Sequence, residues 1–79
     1  MDKYNDFIIE RLDIKEINEA RVILKNVLND EDYNVIDLIV FQNNSIAYSG
    51  RLLGLTNGQI RHKFYNVLRK IGRIKMRNK

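Results

Sequence analysis

The sequence predicts an all-α domain, a small bundle of four to five helices with a helix-turn-helix near its C-terminus. Three observations lead there. Apolar residues recur at steps of three and four along most of the chain. Proline is absent, so no imino ring interrupts a helix. The later apolar stripes also begin or end at a residue suited to capping. Seventy-nine residues suit a single domain, because a chain this short buries only about 60% of its unfolded surface.

The first segment, residues 3–12, sets Tyr4, Phe7, Ile8 and Leu12 at helical spacing, but its ends are weakly marked. Residues 1–12 are therefore expected as a loosely docked N-terminal segment. Asp13 to Glu16 reads as a capping box, followed by the stripe Ile17, Ala20, Ile23, Leu24, Val27 and Leu28, which predicts a helix over residues 14–28. Asn29, Asp30, Glu31 and Asp32 supply a cap and negative charge for the next helix start. Behind them, Val35, Ile36, Leu38, Ile39, Val40 and Phe41 wrap nearly the whole circumference, as expected of a helix at a bundle centre. Their β-branched content also suits a strand; length and neighbouring segments favour the helix.

The polar run Gln42-Asn43-Asn44-Ser45 ends that helix and can cap another over residues 46–53. Gly54-Leu55-Thr56 is the expected turn: glycine adopts the left-handed conformation cheaply, and Thr56 with Gln59 makes a second capping box. The last helix, residues 56–71, carries Ile60, Phe64, Val67, Leu68 and Ile71 on one stripe. Gly72 is placed to terminate it, and residues 73–79 form a basic tail.

Charge is distributed unevenly. Residues 1–49 contain all ten acidic side chains and five of the fourteen basic ones, a net of −5; residues 50–79 contain nine basic side chains and no acid, a net of +9. Such a half-chain suits a polyanion, since each neutralised phosphate releases condensed counterions. The alternative is a solubilising tail on an ordinary bundle.

The same composition argues against other classes. No cysteine is present, and His62 is the sole imidazole, so neither a metal site nor a cofactor is expected. No paired carboxylates, nucleophile with base, or phosphate loop marks an enzyme. No apolar run approaches the roughly 20 residues of a membrane span. The N-terminus lacks the features of a secretory signal, so the expected location is cytoplasmic.

The stretch LGLTNGQIRHKFYNVLRKI, residues 53–71, resembles the fourth conserved region of bacterial sigma factors. Leu53, Gly54, Leu55 and Thr56 match that family's turn, Ile60 and Phe64 its apolar positions, Lys63 stands for an arginine, and Lys70-Ile71 match its closing pair. An apolar helix, an acidic break and a second apolar helix upstream extend the resemblance to residues 22–71. Tyr48-Ser49-Gly50 replaces the usual Glu-Ile-Ala, Gln59 a threonine and Asn66 a second arginine. Residues 60–72 are also similar to the recognition helix of LuxR-type domains. Seventy-nine residues leave no room for the sigma family's second region, so the expectation is a free-standing fourth-region module.

The apolar stripe of the last helix faces inward, which leaves Asn57, Gly58, Arg61, His62 and Tyr65 outward with Gln59, Lys63 and Asn66 on the flanks. Arginine suits guanine, and asparagine or glutamine suits adenine. Asn57, Gln59, Arg61, His62 and Tyr65 are thus the candidate base contacts. Arg51, Thr56 (through its cap amides), Lys63, Asn66, Arg69 and Arg73 are the candidate phosphate contacts.

The expected function is a sequence-specific regulator of transcription that binds double-stranded DNA. The sigma resemblance implies RNA polymerase or another sigma-like subunit as a second partner, and operator symmetry allows a homodimer. Two other readings are a protein-interaction module that binds polymerase or a regulator, and a phage-type DNA-recognition subunit.

Overall fold

A computed structural model describes residues 3–74. Five α-helices and no strand are formed among the described residues. They are α1 (Lys3–Leu12), α2 (Ile17–Val27), α3 (Asp30–Ile36), which continues into a π-helical turn (Asp37–Phe41), α4 (Ile46–Leu53) and α5 (Asn57–Gly72). The tail cations Lys75, Arg77 and Lys79 lie outside the described residues.

Helix α1 is a working part of the bundle. Its Ile8 and Leu12 are fully buried, so the segment expected to dock loosely lends two large side chains to the core. Its end explains where sequence and structure part. Asp13 adopts a left-handed conformation (φ 57°), and the Asp13 and Ile14 amides donate back to the Glu10 and Ile9 carbonyls. This pair of hydrogen bonds closes α1 in a Schellman arrangement. Asp13 is therefore used as a terminator, and the predicted capping box is not formed. Helix α2 starts at Ile17 rather than Ile14, behind Glu16, whose side chain makes no cap hydrogen bond.

The other caps follow from local chemistry. The Asn29 side chain accepts from the Asp32 amide at 2.8 Å and starts α3. Val35, Ile36, Ile39 and Val40 are buried while Leu38 and Phe41 are partly covered, as expected of a central helix. Its last turn widens, with the Gln42 amide donating to the Asp37 carbonyl five residues back. The Asp37 carboxylate fastens this turn by accepting from Arg21 at 2.9 Å and from Gln42 at 2.8 Å. Asn43, with φ 60°, then reverses the chain, and Ser45 caps α4 by accepting from the Tyr48 amide.

Helix α4 ends on Gly54 (φ 74°), where the Gly54 and Leu55 amides donate to the Arg51 and Gly50 carbonyls. Thr56 then starts α5 with a complete capping box: its hydroxyl accepts from the Gln59 amide, and the Gln59 side chain accepts from the Thr56 amide. The three residues 54–56 turn α5 back across α4. The two helices meet where Gly50 faces Ile60, so closely that a Cβ on Gly50 would stand 2.8 Å from the Ile60 Cγ2. Ile60, Phe64, Val67 and Ile71 are fully buried and join the stripe to Ile8, Leu12, Leu24, Val35 and Ile36 in one core. Gly72 does not terminate α5 as expected; it is the last helical residue, with Arg73 as the C-cap.

Candidate nucleic-acid interface

Helix α5 has sixteen residues and is thus about 24 Å long. With its stripe committed to the core, a rotation of 100° per residue sets His62 and Arg69 near the centre of the opposite face. Gly58, Tyr65, Asn66 and Arg73 lie beside them, Arg61 lies toward one edge, and Asn57, the first residue of the helix, lies nearer the stripe. All of these are exposed except Asn66, which is half-buried. Asn57, Arg61 and His62 make no side-chain hydrogen bond or ion pair with other described residues, so their donors and acceptors face solvent.

The remaining candidates are partly occupied. Gln59 uses its carbonyl oxygen in the capping box, which leaves its amide nitrogen as a donor. Thr56 holds the cap, and the first-turn amides of Asn57 and Gly58 have no carbonyl one turn back to bond. Tyr65 packs beside Phe64, with ring centroids 5.6 Å apart. Asn66 accepts from Arg69 and so steadies that guanidinium. Arg51 lies over the Tyr48 ring, 5.9 Å from its centroid, a contact that leaves its charge intact.

Lys63 has a different place from the one its sequence position suggested. It leans toward α3 and pairs with Glu31 at 2.6 Å. The hydrogen bond to Glu31 raises its pKa, desolvation opposes that, and the charges of Glu31 and Asp32 add to the rise. One turn pair later, Lys70 pairs with Asp32. These contacts form a seam between α3 and α5 that the sequence reading missed. Its signal was present: Lys63 and Lys70 are seven residues apart, hence on one helix face, and Glu31-Asp32 opens the central helix.

The seam sorts the positive charge. Of the six basic residues described between 50 and 74, the two lysines are bound to α3 carboxylates. The four arginines, Arg51, Arg61, Arg69 and Arg73, are exposed and pair with no carboxylate among the described residues. Glu31 and Asp32 nonetheless share a cleft with Asn66, Arg69 and Arg73 beside the seam.

Gly58 completes the surface. Its backbone is helical, and a Cβ there would meet nothing within 4 Å. Neither φ nor packing therefore requires glycine at this position, and the absent side chain clears the outer face of the first turn. Among the described residues no group of three His, Asp or Glu could hold a metal ion, and no helix is long and apolar enough to cross a membrane. No protein family, curated protein or solved structure matches the chain.

Proposed function

We propose that this chain is a sequence-specific, duplex-DNA-binding regulator of transcription, with the N-terminal half of α5 in the major groove and α4 and the turn against the backbone. The observation that carries the reading is the sorting of cations just described. Arginine forms a planar fork that matches guanine edges and phosphates bidentately, and every arginine from residue 50 to 74 is left facing solvent. Gly58 supports it, since a bare first turn lets backbone approach the groove floor.

In this reading Arg61, His62, Asn57 and the Gln59 amide nitrogen face base edges, with Tyr65 at the margin. Arg51, Arg69, Arg73 and the cap amides at Thr56 hold phosphates. Asn66 acts through Arg69, and Lys63 belongs to the structural seam. The resemblance of residues 53–56 and their helix to a sigma fourth region extends the proposal to promoter DNA and RNA polymerase.

Selection of bound duplexes from a random pool tests it. The expected result is a defined motif of a few base pairs whose recognition relaxes at one position in Arg61→Ala, at a cost of about 1–3 kcal/mol. Absence of duplex binding at low salt would refute it.

A further inference from the structure

A second surface lies on the other side of Tyr65. Between α1 and the C-terminal half of α5 runs an open groove of about 710 Å³, lined chiefly by Phe7, Tyr65, Leu68 and Gly72 and edged by Arg69 and Arg73. Phe7 and Tyr65 are 40% and 42% exposed. Large aromatic side chains left open beside one another mark a surface that another molecule covers.

Gly72 strengthens this. It is helical, has no left-handed φ, and an added Cβ would sit at an ordinary 3.7 Å from the Phe7 ring. Alanine would fit and would favour the helix. Neither backbone nor packing explains the glycine; its effect is to keep the groove floor open.

We propose that this groove docks an acidic amphipathic segment of a partner protein. A large apolar side chain of the segment sits over Gly72 between Phe7 and Leu68, and flanking carboxylates pair with Arg69 and Arg73. Charge selects this occupant. The rim carries the cations Arg69 and Arg73. In a second copy three of the ten acids, Glu31, Asp32 and Asp37, are already paired with Lys63, Lys70 and Arg21, and self-association is an outcome of the test. Nucleic acid suits the rim but not the apolar floor. An apolar stripe flanked by acids on a partner helix meets both. Docking at this groove does not depend on the DNA reading. If that reading also holds, the occupant withdraws Arg69 and Arg73 from phosphate and competes with DNA.

The test is selection of 12-residue peptides from a random display library on the full chain without DNA, followed by titration of the enriched peptides. Enrichment of Phe, Trp or Leu flanked by Asp or Glu is expected. Binding should fall at least tenfold in Arg69→Glu/Arg73→Glu and in Gly72→Leu, with helical content and melting checked by circular dichroism. Gly72→Ala serves as the milder variant if leucine disturbs the fold. Arg51→Gln and Arg61→Gln should weaken DNA binding while leaving peptide affinity unchanged, which separates failure of one reading from failure of the other. Peptides without acids, or affinities indifferent to Gly72 and the two arginines, would overturn the proposal. So would concentration-dependent self-association abolished by Gly72→Leu, since a second copy would then be the occupant.

Discussion

Replacing Gly50 by alanine probes the contact that sets the angle between α4 and α5. Two opposing effects can be weighed. Gly50 lies inside a helix without a left-handed φ, so alanine gains about 1 kcal/mol in helix propensity. Against this, the new methyl would stand 2.8 Å from Ile60 Cγ2, 3.1 Å from Ile60 Cβ and 3.2 Å from the Leu55 carbonyl oxygen. Overpacking of a filled core costs about 1–3 kcal/mol. The upper part of that range applies, because a β-branched side chain is stiff at χ1 and the third neighbour is backbone. The net expectation is a loss of about 1–2 kcal/mol, or roughly 5–15 °C in melting temperature for a domain of this size.

Circular-dichroism melts and urea unfolding measure it. Ile60→Ala, which alone should cost about 2–5 kcal/mol, removes the nearest obstructing atom, so the double variant should be more stable than the summed losses by about 1 kcal/mol. Gly72→Ala provides the internal comparison, since its Cβ meets only the Phe7 ring at 3.7 Å. The same substitution should there be neutral or stabilising. Gly50→Ala proving as harmless as Gly72→Ala, or a double variant that is simply additive, would refute the close crossing of α4 and α5.

Three further outcomes follow from individual residues. Asp13→Gly should stabilise the chain by about 0.5–1 kcal/mol, because glycine relieves a left-handed aspartate; a capping role for Asp13 would instead make the change destabilising in urea melts. Phe64→Ala, at a fully buried ring with the Tyr4 ring edge-on at 5.0 Å, should lose about 3–5 kcal/mol, and a smaller loss would place the ring outside the core. Lys63 has a raised pKa, so its pairing contributes fully below the ordinary lysine range and is lost as pH rises through the raised value. The stability difference between wild type and Lys63→Met should therefore stay constant through neutral pH and shrink only in strong alkali; a difference that disappears near neutrality contradicts the Glu31 pairing.

Features set by neighbours in sequence were legible before the structure. Asn29, Ser45 and Thr56 each cap the helix that follows, because a short polar side chain reaches an amide two or three residues on. Gly54 closes α4 for an equally local reason. Asp13 misled for the same locality: aspartate serves as an N-cap and also tolerates the left-handed conformation, and only the Ile14 amide's bond to Ile9 decides between them. The candidate interface was legible as a half-chain of positive charge, but not as a division within it. Arg61 read in sequence as a base contact and Lys63 as a flanking phosphate contact; what draws Lys63 toward α3 is Glu31, thirty-two residues away. The α1 edge of the groove was legible as an apolar ridge of Tyr4, Phe7 and Ile8, but the α5 side was not, and the helix turns Ile8 inward while it leaves Phe7 at the surface.

Under the proposed function the exposed arginines meet DNA phosphates and bases, while the lysines hold α3 to α5. The most direct measurement is fluorescence anisotropy of a selected duplex across a salt series, for wild type, Arg69→Gln and Lys63→Gln. Each lost phosphate contact lowers the slope of log affinity against log salt by about 0.9. Arg69→Gln should show that reduction, whereas Lys63→Gln should keep the wild-type slope and lose only thermal stability. The reverse pattern, with Lys63 setting the slope and Arg69 without effect, would contradict this division of roles between the arginines and Lys63.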